Sequence, residues 1–137
     1  MIRIYSKIKK KKLLHIIFRK NNSLNRQNIS PNEEFLQASY IPAKKNEHVK
    51  LHKHFWKMSR SKKIIVQEAW VIISGSVKIF LYDINDKLLS TEVLKTGDFS
   101  ITFAGAHKFL SLSNKTQIYE FKTGPYEGQK KDLIYLE

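Results

Sequence analysis

Two histidines two residues apart, His52 and His54, are the first residues whose types and spacing suit chemistry. In a β-strand, residues i and i+2 point to the same face, so both imidazoles would project together. Two neutral imidazoles side by side are an ordinary beginning of a transition-metal site. Two surface histidines in a charged strand would give the same pattern, so the pair alone is a weak signal.

A carboxylate within an apolar segment adds to this pair. Glu68 lies in the segment Ile65–Ile73. If this segment is a strand, it is too apolar for both faces of the strand to contact water. Burial of a carboxylate is costly unless it is paired or bound to a metal ion. Farther along, His107 is the only histidine after His54. We therefore treat Glu68 and His107 as candidate site residues.

Short β-strands must position these residues. Turn signals such as Ser74-Gly75, Asn85-Asp86 and Gly97-Asp98 recur from residue 29 onward, and no helical periodicity is long enough for a core helix. This pattern predicts an all-β fold, an antiparallel sandwich or barrel. The predicted strands are 34–40, 48–56, 63–73, 76–83, 87–94, 99–103, 108–112 and 116–122.

The composition suits a single domain without thiol chemistry. The chain has 137 residues, and its lack of cysteine excludes disulfides, thiolate catalysis and zinc fingers. The net charge of +13 invites a nucleic-acid interpretation. Nine of the 25 Lys and Arg residues, however, lie in residues 1–28, which contain no acidic residue. The remainder of the chain is only mildly basic.

We expect residues 1–27 to be a basic, partly disordered N-terminal arm, with a short helix or strand over 13–19, and residues 28–137 to be the domain. The arm suits weak contact with an anionic surface, although a plain lysine-rich terminus is the simpler interpretation, and we expect no specific nucleic acid partner. The apolar run Leu13–Phe18 is too short to span a bilayer, and no signal cleavage site follows it. A cytoplasmic location is the default expectation.

Over roughly residues 35–123 the sequence resembles the cupin family. Its first motif is a His-x-His pair, then a glutamate followed by six residues and a glycine. Its second motif opens with a glycine and closes with a histidine. The matching residues are His52, His54, Glu68 and Gly75 for the first motif, and Gly97, Gly105 and His107 for the second.

Three features depart from the cupin pattern. Thirteen residues separate His54 from Glu68, where cupins have a much shorter spacing. Phe103 replaces the proline of the second motif, and the glycine-to-histidine spacing is one residue short. These changes remove no ligand but alter the loops around the site.

The resemblance implies a double-stranded β-helix, the cupin jelly-roll barrel, which holds one divalent metal ion on His52, His54, Glu68 and His107. The ion would be Fe, Mn, Ni, Zn or Cu. A small-molecule ligand would occupy the barrel, and Glu120 and Tyr126 are candidates for acid/base catalysis. A homodimer is expected because exposed sheet edges tend to be paired.

The implied function is that of an enzyme on an oxygen-rich molecule, such as a sugar or sugar-nucleotide derivative in polysaccharide biosynthesis. The candidate activities are those of a metal-dependent isomerase, epimerase or dioxygenase. Some cupin isomerases and epimerases, however, need no metal and use histidine and tyrosine as acid and base. The alternative is a non-catalytic carbohydrate-binding or small-ligand-binding module.

The orientation of residues near the candidate site can also be predicted from strand alternation. Gln67 points away from Glu68, and we expect it on the outside or at an interface. Glu120 and Lys122 share a face of the last strand. A minority of the aromatic residues should line the pocket and the others the core; the candidates are Trp56, Trp70, Phe99, Phe109, Tyr119 and Phe121.

Overall fold

The computed structural model describes residues 1–47, 52–54, 65–114, 116–125, 128 and 133–136. Within these residues the chain forms β-strands and no helix. The strands are β1 (Ile2–Tyr5), β2 (Leu13–Phe18), β3 (Gln27–Asn28), β4 (Ser39–Tyr40), β5 (Glu68–Ser74), β6 (Ser76–Tyr82), β7 (Leu88–Lys95), β8 (Phe99–Thr102), β9 (His107–Ser111) and β10 (Gln117–Lys122).

These strands form three sheets in which every pair is antiparallel. A five-stranded sheet has the order β1-β2-β8-β5-β10, a three-stranded sheet the order β7-β6-β9, and β3 pairs with β4. The prediction of an antiparallel all-β fold is confirmed. In the part of the chain that the structure describes, the sheets are open, with β1 and β10 at the edges of the larger one.

Strand β2 lies inside the five-stranded sheet and is buried on both faces. Ile16 and Phe18 pack with Ile101 on one face, whereas Ile17 packs with Val77 and the facing three-stranded sheet on the other. A strand covered on both sides needs apolar residues at successive positions, which explains the run Leu13–Phe18. Residues 1–27, which we expected to be an arm, therefore supply two strands and part of the core.

Asp83 fastens the turn between β1 and β2 to the end of β6. Its carboxylate accepts hydrogen bonds from Ser6 Oγ at 2.6 Å, from the Lys7 amide at 2.7 Å and from the Ile84 amide at 2.8 Å. Burial acts to raise the pKa of Asp83, but these hydrogen bonds outweigh it and the pKa is lowered. The ionised carboxylate thus holds the lysine-rich turn, residues 7–12, at one end of the three-stranded sheet.

Asp98, in the turn between β7 and β8, makes a similar connection. It accepts hydrogen bonds from the amides of Lys20 and Lys95 and from the Arg19 guanidinium, each at 3.0 Å. Arg19 also pairs with Glu92 on β7 at 2.9 Å. Burial acts to raise the pKa of Asp98, yet the hydrogen bonds and the nearby guanidinium lower it. The end of β2 is thereby tied to both sheets.

Gln67 faces away from Glu68, as predicted, but the expectation of an outside or interface residue is wrong. Its side chain is 2% exposed. Its Oε1 accepts a hydrogen bond from the Leu36 amide at 2.8 Å, and its Nε2 donates to Glu34 at 2.6 Å. The segment before β4 covers this face, so the amide side chain satisfies backbone and carboxylate groups there.

The last five predicted strands coincide with β6 to β10 within one or two residues. Of the predicted strand 63–73, the regular part begins at Glu68, and of 34–40 only Ser39–Tyr40 is a strand. The predicted strand 48–56 lies mostly outside the described residues, and the described residues 52–54 are not in a strand. Among the described residues, no helix is long and apolar enough to cross a membrane.

Candidate functional site

The candidate site lies between the two larger sheets, on the inward face of β5. Alternation along this strand places Ala69 in the core cluster on one side, and Trp70 and Ile72 against the cluster that faces the three-stranded sheet. Glu68 has the same orientation as Trp70. Its register partners are Thr102 on β8 and Lys122 on β10.

Glu68 meets His107 across the gap between the sheets. His107 begins β9 and pairs with Leu81, whose side chain lies in the inter-sheet core. The His107 Nε2 lies 3.2 Å from Glu68 Oε1, and the two side chains are 21% and 16% exposed. An ionised carboxylate only accepts hydrogen bonds, so Nε2 carries the proton and donates it. The sequence-predicted residues Glu68 and His107 are thus brought together.

The other ring nitrogen of His107 is unsatisfied. Its Nδ1 is buried and has no hydrogen-bond partner among the described residues. A buried polar atom without a partner is uncommon in folded proteins and calls for a bound group or a functional role. This atom therefore marks the part of the site to which a ligand would contribute.

Aromatic side chains line the same gap. The Trp70 ring packs edge-on against the His107 ring, with centroids 4.6 Å apart, and against Phe109 at 5.1 Å. The Trp70 Nε1 donates to Glu120 Oε2 at 3.4 Å. Trp70 therefore contacts His107, Phe109 and Glu120 and connects these three side chains.

The remaining aromatic candidates lie elsewhere. Phe99 stacks on Phe18 at 5.0 Å in the core on the opposite side of the five-stranded sheet. Tyr119 and Phe121 are mostly exposed. Their register partners, Val71 and Ala69, show that they do not face His107. Trp56 and the candidate acid/base residue Tyr126 lie outside the described residues.

A second histidine in this gap, His15 on β2, was missed from the sequence. It is fully buried, its Nε2 lies 2.9 Å from the Tyr82 carbonyl oxygen, and its Nδ1 lies 3.0 Å from Thr102 Oγ1. Nε2 must donate to the carbonyl, so Nδ1 accepts from the hydroxyl. The pKa of His15 is lowered to about 4, chiefly by burial and also by the charge of nearby His107, while the hydrogen bond to the Tyr82 carbonyl opposes this shift. The only sequence signal was a histidine inside an apolar run.

His52 and His54 form a separate pair. Their rings lie 5.1 Å apart in an edge-on arrangement, and both residues are exposed. Among the described residues, which include all four predicted ligands, no group of three or more His, Asp or Glu side chains is placed to hold a metal ion. The structure thus brings together Glu68 with His107 and His52 with His54. The four-ligand metal site stays a prediction.

The glycine of the first motif sets the course of the chain after Glu68. Gly75 joins β5 to β6 with a φ of +78°, a conformation that residues with a side chain rarely adopt. A Cβ at this position would lie 2.5 Å from Ser113 Oγ and 2.9 Å from Thr116 Cα. The glycine permits a sharp reversal, so that β5 and β6 enter facing sheets.

A cavity of about 740 Å³ lies at the other end of β5, next to this turn. Its described lining has no charged side chain; it comprises Ser74, Gly75, Ser113, Asn114, Thr116 and Gln117. The hydroxyls of Ser113 and Thr116 bond to each other at 2.8 Å. Hydroxyl groups that bond to each other leave few hydrogen bonds for a ligand, and the described lining has no acid or base. We therefore place the candidate site at Glu68 and His107.

Comparison with known proteins assigns no family to this chain, because no protein-family model, curated protein or solved structure matches it.

Proposed function

We propose that this chain is a cupin-type protein that binds a small oxygen-rich molecule, such as a sugar derivative, between its sheets, with Glu68 and His107 as an acid/base pair. The observation that carries the proposal is the hydrogen bond between these two side chains beside an aromatic wall. Two facing antiparallel sheets, and a reversal at Gly75 after Glu68, support a jelly-roll relationship.

The pair has the elements of general acid/base catalysis. Glu68 orients the His107 ring by accepting a hydrogen bond from Nε2. A proton taken up by His107 can be returned to a hydroxyl or a carbon of the ligand. Both side chains retain some exposure, although Nδ1 itself is buried, so a molecule must enter the gap beside the ring to exchange a proton with it. Such a positioned group typically contributes about 10²- to 10⁴-fold to a rate.

The surrounding groups suit a carbohydrate. Trp70 and Phe109 offer apolar ring surface for the C–H groups of a sugar, and the Glu120 carboxylate offers hydrogen bonds to its hydroxyls. Glu120 lies directly opposite Trp70 in the register of β5 and β10 and shares the face of Lys122. It therefore approaches the gap from a strand edge, which is consistent with the acid/base role predicted for it.

Titration of the protein with UDP-glucose and dTDP-glucose, followed by intrinsic tryptophan fluorescence and calorimetry, tests this proposal. We expect binding that weakens about 10-fold or more in Glu68→Gln and His107→Ala, since each removes a charge-assisted hydrogen bond. His52→Ala is the matched control and should bind as the native chain does. Equal binding by all variants, or a ligand that leaves the His107 ring resonances unchanged, would contradict the proposal.

The second candidate is a metal-dependent enzyme that uses His52, His54, Glu68 and His107. The observations that favour it are the adjacent imidazoles of His52 and His54 and the unpartnered Nδ1 of His107. A bound divalent ion would polarise a carbonyl or activate water. The described positions supply no group of three ligands, so this candidate requires the two pairs to approach each other.

Elemental analysis separates the two candidates. The metal-dependent enzyme predicts about one Fe, Mn, Ni, Zn or Cu per chain, with loss of the metal in both His52→Ala and His107→Ala. The metal-free acid/base site predicts that His52→Ala changes neither metal content nor ligand binding.

A further inference from the structure

The outer face of the three-stranded sheet carries a second set of features unrelated to the site between the sheets. Val77, Ile79 and Leu81 point into the core, so the alternate residues of β6 and their register partners point outward. We call this surface the basic face. Its members are Ser76, Lys78, Phe80, Tyr82, Leu88, Thr91, Val93, Lys95, Lys108 and Leu110.

Every charged residue of the basic face is positive. These residues are Lys78, Lys95 and Lys108, and no described carboxylate belongs to the face. The nearest acidic residue on β7, Glu92, pairs with the inward-pointing Ile79 and is bound by Arg19. Positive charge therefore predominates among the described residues of the face.

An aromatic ring lies among these cations. Lys78 Nζ and Lys108 Nζ lie 5.4 Å and 5.7 Å from the centroid of the Phe80 ring. Tyr82 follows on the same strand and the same side, about 6.7 Å farther along. Aromatic rings at successive outward positions, flanked by ammonium groups, form the combination with which open sheets stack bases and contact phosphates.

The lysine-rich turn continues this surface. Asp83, immediately after Tyr82, holds Ser6 and the Lys7 amide, so the turn lies at the Tyr82 end of the basic face. The turn contains lysines at positions 7, 9, 10, 11 and 12. The basic N-terminal residues and the basic face therefore adjoin one another, which the sequence order conceals.

We infer that the basic face binds a single-stranded nucleic acid, with bases stacked on Phe80 and Tyr82 and phosphates on the surrounding lysines. Stacking of a base on an aromatic ring is stronger than a cation–π contact at an exposed site, so a base can displace the ammonium groups from Phe80 toward phosphates. The two rings are about twice the 3.4 Å base spacing of a duplex strand apart. Bases that reach both must be splayed, which a single strand permits.

Two other occupants fit the basic face less well. A second copy of this chain would bring Lys78, Lys95 and Lys108 against like charges on a molecule of net charge +13. An anionic membrane would attract the lysines, but Phe80 and Tyr82 are half-buried in the sheet and offer less apolar surface to lipid than fully exposed rings would.

Fluorescence anisotropy with a labelled dT12 oligonucleotide and the full chain tests the inference. We expect Phe80→Leu to weaken binding about 10-fold, corresponding to the loss of one stacked base. The double variant Lys78→Gln, Lys108→Gln should reduce the slope of log affinity against log salt by about 1.4, since each single-strand phosphate contact contributes about 0.7. The matched control, Lys44→Gln with Lys45→Gln after β4, loses the same charge and should keep the native slope.

Three outcomes would overturn the inference. One is an equal loss in the control and in the Lys78 and Lys108 double variant, which indicates non-specific charge. Another is equal affinity for dT12 and for a 12-base-pair duplex of mixed sequence. The last is binding to vesicles containing phosphatidylserine without binding to dT12, which assigns the face to membranes. Thermal unfolding of Phe80→Leu shows whether its effect reflects lost stability, and the exposed lysine variants test the inference independently.

Discussion

Two imidazoles in the gap between the sheets have opposite environments. His15 is fully buried, and both of its ring nitrogens have partners, the Tyr82 carbonyl oxygen and the Thr102 hydroxyl. His107 is 21% exposed, and only one of its nitrogens has a partner among the described residues, the Glu68 carboxylate. The same side chain thus serves as framework in one place and as a candidate reactive group in the other.

Strand position explains this difference. His15 lies on β2, which has a strand on each side and a packed layer on both faces. His107 begins β9, an edge strand of the three-stranded sheet, where a ligand can approach. A polar group deep in a sheet is stable only when all its hydrogen bonds are made within the protein. At an edge, one group can remain available for an incoming molecule.

The largest effect is expected when the His15 and His107 rings are removed one at a time. His15→Ala leaves a cavity and deprives the Tyr82 carbonyl and the Thr102 hydroxyl of their partner, so we expect a loss of about 4 kcal/mol in the free energy of unfolding. His107→Ala removes a partly exposed hydrogen bond to a carboxylate and should cost about 1 kcal/mol. Urea denaturation followed by circular dichroism measures both values. Similar losses in the two variants would show that His107 is also framework.

The sequence indicated the all-β fold and the last five strands, because their apolar alternation and turn residues are local features. It also indicated Glu68 and His107 as candidates, because their residue types are unusual in their segments, and the structure brings these two side chains within 3.2 Å of each other. The role of β2 did not follow from local features. The burial of Leu13–Phe18 depends on pairing with β8, more than 80 residues away in the chain. His15, within that run, was missed for the same reason.

The next test uses pH. The pKa of His15 is lowered from 6.5 to about 4 in the folded protein, so between these values the unfolded chain binds a proton more readily. The stability that His15 provides is complete above pH 6.5 and is lost as the pH falls through about 4, by about 3 kcal/mol in total. Nearby His107 favours the neutral ring, and Asp83 opposes this effect.

Unfolding free energies measured from pH 7.5 to pH 4 in the native chain and in His15→Gln test this expectation. The decline should be present in the native chain and largely absent in the variant. Asp83 and Asp98 have lowered pKa values, so the stability they provide is lost mainly below their ordinary value of 3.8, outside this range. An unchanged decline in His15→Gln would assign the pH dependence to other groups.

The positions of the metal candidates illustrate what spacing alone does not determine. His52 and His54 are neighbours in the structure as they are in the sequence, and Glu68 meets His107 across 39 positions. Whether the two pairs meet depends on the connection between them, much of which lies outside the described residues. The cupin resemblance implies that all four residues share one metal ion, whereas the structure brings together only Glu68 with His107 and His52 with His54.

A smaller effect than that of removing His15 is expected at Gly105, which lies beside His15 and two residues before His107. Gly105 has a φ of +87°, and a Cβ there would lie 2.4 Å from the Tyr82 carbonyl oxygen and 3.4 Å from His15 Nε2. Gly105→Ala must therefore strain its own backbone and displace the carbonyl that accepts from His15. We expect a cost of about 2 kcal/mol.

Gly128→Ala is a control for the backbone strain alone. Gly128 has a φ of +97°, but no described atom lies within 4 Å of an added Cβ, so its substitution should cost about 1 kcal/mol. Because the displaced carbonyl also accepts from His15, Gly105→Ala should cost less in a His15→Gln background than in the native chain, but still more than Gly128→Ala, since the close contact with the Tyr82 carbonyl remains. If Gly105→Ala costs the same in the native chain and in His15→Gln, His15 and the turn before His107 are energetically independent. The hydrogen bonds of His15 would then not help to position His107.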